Sequence, residues 1–485
     1  MIIPDIEVVY YRNISILKGF IITLIIFLFS SGCQAKSVLL KPFPAEESDG
    51  GEVFLYTQPF PQEADRLVFN IQGIFAVKDD GMAIPLSISL TEFKCRDIKR
   101  QRLVATGRVP PGRYTGLSFK VRDASLEVEE GVASLLVPDE PVKIDFPFQI
   151  SAGKSNVISL SFNYIQSIKG RFKFSPSFSI FIPGKPLASL TGYVTNYASD
   201  NLMVFDKKSM QVVGVIATGR GPNGIALNQR LRRAYVALSS DDAIDVIDVT
   251  AEEVINRIRL NTGDNPQEPA LTPDGRLLLT ANSGSNTVSV IDPIGFIELS
   301  RINVGNSPNS ILIDPAGRRA YVFNTLSNTI SVIDIANKSI AATISTEPGP
   351  LRGQFNRQGD KLYVIHELSS YLAVINPLSL TVTNKIYVGM GMRVIKLDTK
   401  TNMFYMSKKH DAMVDVYDPL SSIPIDYIKT GGDTGYITID GEENNLYLTI
   451  PETKTLMIVN TVSKKIVSKI DVGESPYWVT MMGER

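Results

Sequence analysis

Asn286-Thr287-Val288-Ser289-Val290-Ile291-Asp292 and Asn328-Thr329-Ile330-Ser331-Val332-Ile333-Asp334 are the same heptapeptide but for Val288 and Ile330, 42 residues apart. Polar and apolar residues alternate, which is the period of a strand and not of a helix. The closing Asp stands before Pro293 in one copy and Ile335 in the other, where a turn begins. Working outward, that closing residue recurs as Asp206, Asp248, Asp292, Asp334, Asn376, Asp418 and Asn460. Thirteen residues before each stands Tyr193, Tyr235, Leu279, Tyr321, Tyr363, Tyr405 or Tyr447, and every step is 42 except one of 44. The two extra residues fall between Asp248 and Gly263, and a longer hairpin within 249–262 is expected to absorb them. Seven copies of a unit of this period are the signature of a β-propeller.

A unit holds four strand runs, as in 310–314, 320–323, 328–334 and 340–345. A sheet of that size cannot bury both faces by itself, so neighbouring sheets must stack around an axis. The expected fold is all-β: a seven-bladed β-propeller over 186–485. The first unit begins at its second strand, Tyr193, and the chain ends on a lone first strand, Pro476-Tyr477-Trp478-Val479-Thr480-Met481-Met482. Strand-exchange ring closure beside 192–196 is therefore expected, which removes exposed sheet edges.

Tyr193-Val194-Thr195-Asn196, with Leu279-Thr280-Ala281-Asn282 and Tyr321-Val322-Phe323-Asn324, resembles the YVTN family of β-propeller repeat proteins. The resemblance implies the fold and no particular activity, because propellers host enzymes and binding platforms alike. Later copies drift, to Tyr363-Val364-Ile365-His366 and Tyr447-Leu448-Thr449-Ile450.

Upstream, Arg12 and Lys18 precede the apolar run 19–29, followed by Ser30-Ser31-Gly32-Cys33. This is a secretory signal layout over 1–32, too short to span a bilayer. Small residues before a Cys resemble the lipobox of bacterial lipoproteins, with Ser30 where that motif usually has Leu. Lipidation of Cys33 is expected, with a cleaved soluble form or an uncleaved anchor as alternatives. Residues 33–64 have the Pro, Glu, Ser and Gly content of a flexible tether. Residues 65–185 carry strand runs at 66–73, 84–91, 114–121, 133–138, 142–150, 156–162 and 171–182, read as an antiparallel β-sandwich. The stretch Pro110-Pro111-Gly112-Arg113-Tyr114 resembles prealbumin-like sandwich domains of bacterial envelope proteins. Gly184-Lys185-Pro186 reads as a hinge. With Cys33 lipidated, Cys95 has no partner for a disulfide and reads as a small residue on a strand face.

A net charge of −1 with interspersed signs argues against nucleic acid as a partner. Two histidines, His366 and His410, are too few for a His-ligated copper site, and the chain lacks a Cys-x-x-Cys-His haem motif. Both are read as surface residues, and neither a metal nor a cofactor is expected. The regular Asp series is read as turn chemistry, since Asn at 376 and 460 keeps the backbone bond and loses the charge. The candidate binding surface is the axial mouth, where loops entering the innermost strands converge. Its candidates are Arg220, Asn223, Gln267, Asn309, Arg352, Arg393, Tyr436 and Tyr477, the Tyr and Arg mixture found at binding hot spots. The expected protein is a monomeric, membrane-tethered component of the bacterial cell envelope, outside the cytoplasm. Its propeller binds an envelope protein or polymer without catalysis. The alternative is a lactonase-like hydrolase, since the array resembles lactonase propellers in architecture; it would have to work with Arg393 and His366.

Overall fold

The computed structural model describes residues 50–129, 131–170, 172–418, 423–442 and 444–484. The signal segment, Cys33 and most of the expected tether lie outside these residues. From Thr191 onward the chain forms propeller-like, repeated four-stranded antiparallel sheets. The sheet of Pro308–Ile313, Arg319–Asn324, Thr329–Asp334 and Ser339–Ser345 is representative. Alternation makes it two-faced. Tyr321, Phe323, Ile330 and Val332 pack toward Leu362 and Val364 of the following sheet. Ala320, Val322 and Ile333 pack toward Leu279 and Val288 of the preceding one. Middle strands buried on both sides explain why the Tyr-Val and Val-Ile runs are so apolar. Each fully buried Val, Leu or Ile side chain contributes about 1.5–3 kcal/mol.

First strands lie against first strands in succession: Pro222–Asn228, Pro266–Leu271, Pro308–Ile313, Pro350–Phe355, Met392–Leu397, Tyr436–Ile439 and Pro476–Met481. The last returns against Pro222–Asn228 and also pairs antiparallel with Thr191–Asn196, so the first sheet takes one strand from the chain's end. The Asp series sits in turns: Asp206, Asp248, Asp292, Asn376 and Asn460 each accept the backbone N–H two residues on. The two extra residues are not in a third-to-fourth-strand hairpin. Glu253–Arg259 follows Asp248 at the usual distance, and the added length lies after Arg259, in the loop that enters Pro266–Leu271.

The N-terminal module holds two large sheets around one core, with a small two-stranded sheet of Ile168–Lys169 and Lys173–Phe174 beside them. One runs Phe178–Phe181, Ser155–Phe162, Gly51–Thr57, Arg102–Val109 and Ser87–Ile88; the other is built on Leu67–Lys78 and Gly112–Val128. Phe60, Phe69, Phe93 and Phe162 stack between them. Three expectations need correction. The tether does not reach residue 64, because Gly51–Thr57 is an inner strand, its apolar residues Val53 to Tyr56 outweighing the polar composition around them. The strands are not all antiparallel, since Gly51–Thr57 runs parallel to Ser155–Phe162. Cys95 lies in a short 3₁₀ turn and not on a strand; burial pushes its thiol up to about 12, which leaves it protonated and unreactive.

This module is fastened to the repeat. Phe54, Tyr56 and Val157 share a core with Phe205, Val212 and Ile470. The Gln101 amide bonds both the N–H and the C=O of Val212, satisfying an outermost strand that would otherwise be open. Asp471 receives Arg102 Nε at 2.8 Å and the Leu103 N–H at 3.1 Å. Lys185 of the expected hinge donates to the Thr250 carbonyl at 3.2 Å.

Candidate functional site

The loops that enter the inner strands are held by a device absent from the sequence-based candidates. Asp200 accepts the Gly221 N–H, Asp242 those of Gly263 and Asn265, Asn286 that of Ser307, and Asn328 that of Gly349. These four residues lie in second-to-third-strand turns at φ of 50, 50, 59 and 55°, a left-handed conformation that Asp and Asn tolerate best after Gly. The signal was available, for the positions 200, 242, 286 and 328 keep the repeat's step. The effect is a mouth whose loop backbones are tied to the neighbouring sheet.

The mouth encloses a cavity of about 380 Å³. Asn223, Gln267, Arg393 and Tyr477 line it, together with Tyr197 and Asn265. Asn223 Nδ2 donates to Gln267 Oε1 at 3.1 Å, and Gln267 Nε2 donates to Asn265 Oδ1 at 2.8 Å and Ser283 Oγ at 3.1 Å. Arg393 reaches one carboxylate, Asp433 Oδ2, at 3.6 Å, beyond hydrogen-bond length. Arg220 stays on the outer rim, its Nε bonded to Asp241 Oδ1 at 2.7 Å. Asn309 is half-buried and does not line the cavity.

Arg352 and Tyr436, expected on the open rim, are instead in a closed layer one residue further along the inner strands. Arg352 Nη1 bonds Glu268 Oε2 at 2.8 Å. Its guanidinium also lies over the rings of Trp478 and Tyr436, at 4.9 and 5.3 Å. Tyr436 and Trp478 stack at 3.7 Å. These four residues come from four different inner strands, so they meet across the axis. Burial there pushes the Glu268 carboxyl up to about 7 against the pull of Arg352. Deeper still, Glu484 near the chain's end accepts from Thr438 and from Thr480 Oγ1, the latter at 2.6 Å. Lys396 approaches it at 3.4 Å. The axis is thus bridged at two levels beneath the mouth.

His366 is not a surface residue. It occupies the motif Asn position, wholly buried, with Nε2 2.8 Å from Thr346 Oγ1 and Nδ1 3.1 Å from the Tyr371 carbonyl. A carbonyl only accepts, so Nδ1 carries the proton and Nε2 accepts from Thr346. Burial lowers its pKa to about 4, which leaves the ring neutral. The equivalent Asn324 donates from Nδ2 to Thr329 and Ser331. The match explains the substitution: either side chain can bond the turn that begins the third strand. His410 is exposed at φ 58° in a turn, and its backbone N–H donates to Asp433. His366 does not line the mouth cavity, so the Arg393–His366 pairing is not assembled there. Among the described residues, no group of three or more His, Cys, Asp or Glu side chains is placed to hold a metal, and no helix is long and apolar enough to cross a membrane.

Residues 187–402 match the family described as YNCE-like beta-propeller. No curated protein matches the chain. Among solved structures, one titled Kuenenia stuttgartiensis hydrazine synthase is 20% identical, covering 53% of this chain and 88% of that one at a TM-score of 0.48. The dihydro-heme d1 dehydrogenase NirN, in complex with DHE, is 13% identical over 62% of this chain and 77% of that one, with a TM-score of 0.50. A functionally unknown protein from Desulfotomaculum acetoxidans DSM 771 is 15% identical over 60% of this chain and 98% of that one, with a TM-score of 0.53. At these identities the last two likenesses concern the fold alone.

Proposed function

We propose that the chain is a membrane-tethered envelope protein whose C-terminal half is a seven-bladed β-propeller closed by strand exchange, and that the mouth of this propeller captures an envelope protein or polymer without catalysis. The observation that carries the reading is the convergence of Asn223, Gln267, Arg393 and Tyr477 on one cavity of about 380 Å³. A cavity of that size falls at the lower end of ligand pockets. The loops that carry Asn223 and Gln267 are tied at their backbones by Asp200 and Asp242, so these two amides have little ordering left to lose on binding, which favours recognition.

In this reading the two N-terminal sheets form a β-sandwich over about 50–185. Cys33 carries the lipid, and the segment between Cys33 and residue 50 is the tether. The sandwich then acts as a mount for the propeller, supported by its hydrogen bonds to Val212 and Asp471. The hydrolase alternative has less support, since His366 is buried with both ring nitrogens engaged.

The test is crosslinked capture from envelope extract by the wild-type chain and by an Arg393→Glu, Tyr477→Ala double variant. Specific capture that the double variant loses supports the mouth as the binding surface, and capture unchanged in the variant contradicts it. Palmitate labelling that vanishes in Cys33→Ala supports the anchor, and labelling that persists refutes it.

A further inference from the structure

Resting on the mouth as the binding surface, we infer that the cavity takes an acidic saccharide, a sugar unit bearing a carboxylate. Four features of the lining carry this. The first is charge. Among the described residues, Arg393 is the single charged side chain lining the cavity, and no carboxylate lines it. Its side chain is about one third exposed and, among the described residues, its one ion pair is the 3.6 Å approach to Asp433, whose Oδ2 already accepts the His410 N–H at 3.0 Å. A planar guanidinium with donors to spare matches a ligand carboxylate in a two-bond fork.

The second is the character of the neutral groups. Asn223, Asn265 and Gln267 are amides, and Ser239 and Ser475 are hydroxyls. Each can both donate and accept, as each hydroxyl of a sugar does. The third is the pair of tyrosines, Tyr197 and Tyr477, whose ring faces suit the C–H face of a pyranose. Among the described residues no Leu, Ile, Val, Met or Phe lines the cavity, and its apolar surface comes from the two tyrosines with Pro451 and Pro476, flat rings and not a deep aliphatic slot. The fourth is the closed layer of Arg352, Tyr436 and Trp478 below, which makes the mouth a blind pocket suited to a chain end or a single unit.

Trp478 is the only tryptophan in the chain, so its fluorescence reports on the layer beneath the cavity. The experiment titrates the full chain with a galacturonic acid trisaccharide and with its carboxyl-reduced, neutral counterpart, read by equilibrium dialysis alongside Trp478 emission. The acidic sugar should bind about tenfold or more tighter than the neutral one, the scale of one charge-assisted fork. Arg393→Gln should remove that preference without lowering the melting temperature by more than a few degrees, and Tyr477→Ala, whose ring also packs beside Tyr436 and Trp478, should weaken both sugars when measured at a temperature where it is folded. Equal binding of the two sugars overturns the carboxylate assignment. Failure of both sugars, with envelope capture still dependent on Arg393 and Tyr477, overturns the saccharide and leaves the mouth with a polypeptide partner. Failure of both sugars together with capture indifferent to these residues overturns the mouth reading itself.

Discussion

Arg393 and Arg352 stand at neighbouring registers of the same set of inner strands, yet they do opposite things. Arg393 faces an open cavity beside amides and a tyrosine and touches one carboxylate at long range. Arg352 is nearly enclosed, bonded to Glu268 and covered by two aromatic faces. Successive side chains of a strand point to opposite sides, so a shift of one residue is enough to move a group from the rim to the axis. The contrast teaches that residue type at a propeller mouth does not tell binding from bracing. What separates them is whether the charge is already paired inside the fold.

The most severe way to break the comparison is to remove 476–485, because that segment supplies Tyr477 to the rim, Trp478 to the axial layer and Glu484 beneath it. Loss of one cooperative thermal transition is expected, and a melting curve unchanged in midpoint and width would contradict the role given to the last strand. Next in size is Arg352→Met. It leaves Glu268 buried without its partner, and a destabilisation of about 3–5 kcal/mol in denaturant unfolding is expected. Adding Glu268→Gln should recover much of that loss, which a double-mutant cycle would measure.

A smaller effect concerns His366. Its pKa in the fold is lowered from 6.5 to about 4, so between those values the unfolded chain binds a proton that the folded chain does not. Stability from this group is complete above about 6.5 and is lost as pH falls toward about 4. His366→Asn, which restores the residue found at 324, should flatten the melting temperature over that range, and an identical pH profile would contradict the buried neutral ring. Least in stability is Arg393→Glu, which exchanges the 3.6 Å ion pair with Asp433 for two neighbouring carboxylates and is expected to cost about 1 kcal/mol of unfolding free energy, while abolishing capture.

Much of the repeat was legible because its period is redundant: the Tyr position, the Asp turn and the alternation each count it independently. The turn role of the Asp series was legible for the same reason, since Asn at 376 and 460 preserves only the backbone bond. The first strand of the N-terminal module was not, because Gly51–Thr57 follows a run of Glu, Ser, Asp and Gly and its burial depends on partners at 102–109 and 155–162. For the site, the register ranked all rim positions alike. It could not say that Arg352 would find Glu268 across the axis, a pairing between strands 84 residues apart. Nor could it say that His366 would be buried, because drift from a motif Asn reads the same whether the new side chain points outward or takes over the old bonds.

The most direct test of the central claim is to measure capture from envelope extract and thermal melting side by side for Arg393→Glu and Arg352→Met. Binding at the rim and bracing at the axis predict that Arg393→Glu melts within a few degrees of the wild type and captures nothing. They predict that Arg352→Met melts much lower and still captures at temperatures where it is folded. A rim variant that captures normally, or an axial variant as stable as the wild type, would contradict the account.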